Sequence, residues 1–204
     1  MTELGILGGT FDPPHNGHLL LAESARVQFH LDRVVLMPAG DPYRKANRAV
    51  SATEHRVAMT RLATQDNPRF SVDDREAQTD GPTYTVNTLE ELARDGVHHP
   101  LFILGADALR DMPNWHQPAT IVELAQLVIA GKGASRQEIA DAAAAAGFVR
   151  TPAVVDMPEL AISSTLIRSR VAAGLPIRYL LPRAVEDYIH DQGLFRPQSQ
   201  AASG

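Results

Sequence analysis

Two histidines, His15 and His18, stand three residues apart in Gly8-Gly9-Thr10-Phe11-Asp12-Pro13-Pro14-His15-Asn16-Gly17-His18. Imidazole N–H groups can donate hydrogen bonds that strengthen as negative charge grows on a phosphate oxygen. Glycines let a backbone approach a ligand closely. A helix starting where this stretch ends adds orphan N–H groups and a partial positive charge, both of which attract anions. Together these residue types point to phosphate chemistry. A metal pair is a second reading of the same spacing, but no HExxH pattern surrounds it and no third ligand is evident. A buried structural histidine is a third, though a helix start rich in Pro, Asn and Gly is not a core-facing pattern. Taken alone, Gly8-Gly9 also reads as an ordinary tight turn between a strand and a helix. It fits neither G-x-G-x-x-G nor G-x-x-x-x-G-K-[ST], so the dinucleotide fingerprint and the P-loop are both unsupported. His30, His55, His98, His99, His116 and His190 lack comparable company and read as structural or surface residues.

Ile162-Ser163-Ser164-Thr165-Leu166-Ile167-Arg168 sets hydroxyls at a helix start with an arginine one turn later. The plain reading is an N-cap followed by a solvated arginine. The chemical reading is an anion cradle in which N–H groups and hydroxyls hold phosphate oxygens while Arg168 grips them. Arg44 and Lys45 follow Pro42-Tyr43 in the aperiodic stretch Asp41–Arg48. Charged loops are usually only solvated, yet this one follows a strand and suits a clamp on terminal phosphates. Gly81-Pro82-Thr83-Tyr84-Thr85 reads plainly as a loop and a cap, and chemically as a helix N-terminus that favours a carboxylate over a neutral amide. The single tryptophan, Trp115, reads either as core or as a flat stacking surface in its Pro-Asn-Trp-His-Gln-Pro loop.

Positioning these residues is the task of alternating elements. Strand-like runs are Leu4–Leu7, Arg33–Met37, Phe70–Asp73, Leu101–Leu104, Leu127–Ala130 and Ala153–Asp156. Helical periodicity covers His18–Gln28, Ser51–Thr64, Thr85–Asp95, Ala119–Leu124, Gln137–Ala146, Ser164–Ala173 and Arg183–Gln192. Such alternation predicts an α/β fold: a Rossmann-like, mostly parallel sheet with helices on both faces and a small C-terminal helical part. Residues 1–196 are expected to form one domain and 197–204 a mobile tail. Ligands of open sheets of this class bind at the carboxyl ends of the strands, near the reversal of strand order. The chemically unusual segments follow strands, so one shared pocket is expected.

The chain has 204 residues, 44% of them hydrophobic, and no cysteine. That composition supports a packed core and excludes disulfides and thiolate metal sites. A net charge of −5 without a basic run argues against a nucleic-acid partner. No segment is apolar enough to span a bilayer, and the first residues do not resemble a signal peptide. A cytoplasmic setting is the expectation, without a membrane partner; a homo-oligomer is left open.

Taken together, the segments resemble the bacterial nicotinate-nucleotide adenylyltransferases of the nucleotidyltransferase superfamily, from Gly5 to about Phe195. Gly8–His18 is similar to the superfamily's T/H-x-G-H signature, and Ile162–Arg168 to its second signature. Gly105-Ala106-Asp107 with Trp115, and Gly81–Val86, point to this subfamily. The resemblance implies adenylyl transfer from ATP to nicotinate mononucleotide, giving nicotinate adenine dinucleotide and pyrophosphate. It implies that His15 and His18 stabilise the reacting phosphates, and that Thr10, Lys45, Ser164, Thr165 and Arg168 hold the ATP phosphates. It implies an adenosine site at Gly8, Gly9, Gly105 and Asp107, and a nicotinate site at Tyr84, Thr85 and Trp115. Mg²⁺ would be held mainly by ATP phosphates, with no protein metal site. Two positions depart from the family pattern: Asp41-Pro42-Tyr43-Arg44-Lys45 replaces Asn-Pro-Pro-His-Lys, and Gly131-Lys132-Gly133 replaces Arg-Pro-Gly. Competing expectations are a related transferase acting on phosphopantetheine or using CTP, and a nucleotide sensor that binds ATP without turning it over.

Overall fold

The computed structural model describes residues 3–40, 50–79, 81–131, 136–145, 147–148 and 151–197. The expected clamp loop with Arg44 and Lys45, the Lys132-Gly133 departure and the tail from residue 198 lie outside the described residues. Six strands form one sheet: β1 (Leu4–Gly9), β2 (Arg33–Pro38), β3 (Phe70–Val72), β4 (Leu101–Gly105), β5 (Gln126–Ala130) and β6 (Ala153–Val155). Their order is β3-β2-β1-β4-β5-β6, and every neighbouring pair is parallel. Strand order reverses between β1 and β4, so a crevice is expected beyond their carboxyl ends.

The intervening helices are α1 (Asn16–Gln28), α2 (Thr53–Thr64), α3 (Thr85–Arg94), α4 (Ala106–Asp111), α5 (Pro118–Leu124) and α6 (Arg136–Ala145). Two more, α7 (Ser164–Ala172) and α8 (Arg183–Asp191), complete the C-terminal part. Because a strand's side chains alternate between faces, each central strand feeds two cores. Val35, Met37, Phe102, Leu104, Leu127 and Ile129 face a core that α3, α5 and α6 close with Val86, Leu89, Ile121 and Ile139. Val34, Leu36, Leu101, Ile103 and Val128 face the opposite core, under Leu21, Ala22 and Ala25 of α1. A third core joins Met59 and Ala63 of α2 to Ile167 and Val171 of α7 and Val185 and Ile189 of α8. Ile167, Val185 and Ile189 are fully buried there. Each such burial contributes about 1.5–3 kcal/mol, whereas an N-cap contributes about 1 kcal/mol. Packing on α2 therefore sets the orientation of α7, and with it the face that carries Ser164 and Arg168.

Three local features differ from expectation. Gly8 and Gly9 are strand residues, pairing with Met37 and Pro38, rather than a tight turn. The turn falls later, where Phe11 takes a left-handed backbone (φ 49°). Phe11 is buried at 2% exposure, and its ring folds back so that a β-carbon on Gly9 would stand 3.0 Å from it. Second, α1 starts at Asn16 with His15 as its N-cap, two residues before the predicted start. Third, the six-residue α4 is too short to carry a legible helical period.

Candidate active site

The first signature is built at the carboxyl end of β1. His15 caps α1 with extended backbone, and its N–H donates to Nδ1 of His18 (3.2 Å). A histidine at N3 here takes the place usually filled by Glu or Gln in a capping box. Because Nδ1 accepts, the proton of the neutral His18 ring sits on Nε2, making that nitrogen the donor. The two imidazoles stack, with centroids 3.7 Å apart and planes 21° from parallel. Phe11 meets the His18 ring edge-on at 5.1 Å. Gly17 explains the glycine of the His-Asn-Gly-His order: a β-carbon there would lie 3.0 Å from Nδ1 of His15.

The second signature docks directly on the first. Ser164 and Arg168 are four residues apart and share one face of α7. Ser164 Oγ donates to the Pro13 carbonyl (2.9 Å), and Arg168 Nη1 donates to the Asp12 carbonyl. Arg168 Nη2 donates to Thr165 Oγ1 (3.0 Å), and Nη1 lies 3.9 Å from the Asp12 carboxylate. Thus Arg168 is not a solvated helix residue; its side chain is 17% exposed. The plain capping role belongs to Ser163, whose Oγ accepts from the Leu166 N–H (3.1 Å). One orphan N–H expected to face an anion is already used: Asn16 N–H donates to the Leu180 carbonyl (3.0 Å). Asn16 Nδ2 also donates to the Tyr179 carbonyl (2.8 Å), so the C-terminal part braces the start of α1.

A cavity of about 240 Å³ collects these groups: Thr10, Asp12, His15, His18, Ser164, Thr165 and Arg168 all line it. A groove of about 780 Å³ continues from the histidines past Gly8 and Gly105 toward Gly131 and the segment after β6. Gly9 lies at the end of β1 beside Gly8, and Asp107 lies in the first turn of α4. Tyr84, Thr85 and Trp115 line neither the cavity nor the groove. They gather elsewhere along the carboxyl side of the sheet. Tyr84 is the N-cap of α3, and its ring contacts His116 with centroids 4.7 Å apart. Tyr84 and Trp115 are half-buried against the same core, so Trp115 is partly the core residue of its plain reading.

Four residues that contact or adjoin the groups named from the sequence were not singled out for chemistry there. Phe11 and Asp12 stand inside the first signature, but their use depends on contacts across the turn. His116 is adjacent to Trp115, and its partner Tyr84 is distant in sequence. Glu76, in the 3-10 turn Glu76–Gln78, accepts from Thr88 Oγ1 (2.7 Å). Burial raises its carboxyl above its usual range, and the charges of Asp73 and Glu91 add to the effect. Hydrogen bonds from Thr88 and Thr83 oppose it.

The arrangement can hold polyanions and stabilise charge on a phosphate; among the described residues nothing in it resembles an activated side-chain nucleophile. Comparison with known proteins agrees. The cytidylyltransferase-like family model matches residues 6–170. A Roseiflexus sp. (strain RS-1) protein named "Probable nicotinate-nucleotide adenylyltransferase" is 45% identical over 95% of this chain and 98% of its own length. One of the same name from Thermomicrobium roseum is 41% identical over 96% and 92%. Among solved structures, the Plasmodium falciparum nicotinic acid mononucleotide adenylyltransferase complexed with NaAD superposes with a TM-score of 0.77 at 18% identity. It covers 96% of this chain and 98% of that one, and shows the fold. Sequence likeness across the full length, on a sheet of this order, means that the chain belongs to the cytidylyltransferase-like family and, within it, to the nicotinate-nucleotide adenylyltransferases.

Proposed function

We propose that this chain transfers the adenylyl group of ATP to nicotinate mononucleotide, forming nicotinate adenine dinucleotide and pyrophosphate in NAD synthesis. The observation that carries the reading is the direct docking of the two signatures. Ser164 and Arg168 bond the Pro13 and Asp12 carbonyls, so imidazoles and guanidinium line one cavity. The nucleophile is the phosphate of the mononucleotide, which arrives already anionic. No side-chain base is required, and catalysis consists of alignment and charge stabilisation. The bond from the α-phosphorus to the bridging oxygen breaks as the mononucleotide oxygen bonds to that phosphorus, and pyrophosphate leaves with the electron pair.

Nε2–H of His18, with His15 stacked behind it, meets the α-phosphate as its charge grows. Arg168 grips phosphate oxygens from a guanidinium already fixed by Asp12 and Thr165. The Ser164 hydroxyl is spent on Pro13, so its share in holding phosphate falls to its backbone N–H, with that of Thr165 beside it. First-turn N–H groups have no acceptor within their helix. Thr10 completes the wall, and the resemblance assigns Lys45 to the terminal phosphates. Adenosine lies in the groove along Gly8 and Gly105, with Gly9 and Asp107 near them in the chain. The N-terminus of α3 at Tyr84 and Thr85 receives the nicotinate carboxylate, with Trp115 as the stacking surface.

The described residues hold no cluster of three or more metal-ligating side chains. Asp12 is the acid lining the cavity, buried at 4% exposure, and its Oδ1 has no hydrogen-bond partner among the described residues. That orphaned oxygen fits a magnesium ion carried in mainly by the ATP phosphates. Asp12 and the ATP phosphates would hold such an ion, and the chemistry it would supply is charge neutralisation toward pyrophosphate. No described helix is long and apolar enough to cross a membrane. The absence of cysteine supports a cytoplasmic setting.

Pyrophosphate release by the purified chain tests the assignment. ATP with nicotinate mononucleotide should turn over, and kcat/KM for nicotinamide mononucleotide should be at least about tenfold lower. Equal values would refute the carboxylate preference. Faster release with phosphopantetheine or CTP would move the chain to a neighbouring activity, and ATP binding without release from any pair would make it a sensor.

A further inference from the structure

Arg56 is the largest fully buried side chain of the described residues, at 1% exposure, and belongs to neither signature. It lies in the first turns of α2, yet it reaches three other stretches of chain. Nε donates to the Ser51 carbonyl (3.1 Å). Nη1 donates to the carbonyls of Thr10 (3.1 Å) and Ala39 (2.6 Å), and Nη2 to the Gly40 carbonyl (2.6 Å) and Thr53 Oγ1 (2.9 Å). A guanidinium has five N–H donors, and each has an acceptor here. Thr10 lines the cavity, as does Val50, the chain neighbour of Ser51. Arg56 therefore holds this wall from behind, tying the end of β1 to the end of β2 and to the start of α2.

Stability alone does not account for this choice. Taking a guanidinium out of water costs several kcal/mol, and an apolar side chain of similar volume commonly serves a core as well. What a planar fork adds is direction: it holds four carbonyl oxygens, from three separate stretches, in one mutual arrangement.

We infer that Arg56 is a positioning residue for the triphosphate, fixing Thr10 and the Ser51 end of the wall so that the cavity is preformed when the phosphates arrive. The inference rests on the proposal that this cavity receives the ATP phosphates. It specifies the fork and not the charge, so lysine, with three donors on one nitrogen, does not replace it.

The test is calorimetric titration of the folded Arg56→Lys variant with ATP and, separately, with adenosine, which lacks the phosphates. The ATP dissociation constant should rise about tenfold while that of adenosine stays within a factor of about two. A merely structural role would lower the fraction of binding-competent protein and leave both constants unchanged. Unchanged ATP affinity, or an equal loss for both ligands, overturns the inference. Should Arg56→Lys fail to fold, Thr53→Val removes one of the five acceptors and leaves the guanidinium in place. It should weaken ATP about threefold and adenosine not at all, and unchanged ATP affinity again overturns the inference. Failure of the wild-type chain to bind ATP would instead undo the reading of the cavity.

Discussion

His18 has a defined tautomer because its Nδ1 accepts the N–H of His15, and this makes Nε2 the donor. On the proposed mechanism, replacing it with alanine removes one donor that stabilises developing charge. His18→Ala should lower kcat by about 10²–10³-fold, or about 3–4 kcal/mol. The variant should remain folded by circular dichroism, because His18 is only half-buried. Near-full turnover by a folded variant would exclude the role. That His15, His18 and Arg168 share one cavity was legible from the sequence, because residue types suited to anions mark both segments. The parts played by Phe11, Asp12 and Arg56 were not, because what they do depends on groups the fold brings to them. Phe11 matters through a ring contact with His18, and Arg56 through carbonyls as far away as Thr10. No local pattern of hydrophobicity or charge encodes those partners.

At the scale of elements, helix starts do most of the positioning, and a split between stability and activity reveals it. Glycine inside a helix usually costs about 0.5–1 kcal/mol relative to alanine. At Gly17 the added methyl would press on the His15 ring, 3.0 Å from Nδ1. Gly17→Ala should therefore leave the unfolding free energy within about 1 kcal/mol of wild type while kcat falls at least about tenfold. Chemical denaturation and steady-state kinetics check the two halves, and a parallel fall in both would point to general disruption.

The loop before α3 has a different anchor. Glu76 binds Thr88 and Thr83, and its backbone carbonyl packs so closely on Gly40 that a β-carbon there would overlap it. Burial raises the Glu76 carboxyl above its ordinary 4.5. The folded state then holds that proton more tightly than the unfolded state. The contribution of this group is fully present below pH about 4.5 and is lost as pH rises through the higher folded value. Glu76→Gln keeps an acceptor for Thr88 and cannot ionise. Its stability relative to wild type, from denaturant midpoints, should increase as pH rises from 4 to 7. A constant difference over that range would contradict the account.

For the molecule as a whole, sheet order and chemistry coincide. All six strand candidates correspond to strands, and the reversal between β1 and β4 sets Gly8 and Gly105 on one groove. This much was readable because a buried parallel strand is a continuous apolar run and a crossover helix is periodic. Less readable were α4, only six residues long, and the extension of β1 through Gly9, where glycine carries no strand signal. The separation of Tyr84, Thr85 and Trp115 from the cavity was not encoded in any local pattern either. In the proposed function they would form the far end of a site across which two anionic nucleotides meet.

Direct attack by one nucleotide on the other, with no intermediate on the enzyme, is the centre of this account. ATP made chiral by sulfur and an oxygen isotope at the α-phosphorus records the path. A single in-line displacement predicts inversion at phosphorus in the dinucleotide product; retention would require a second displacement through the protein and would contradict the account.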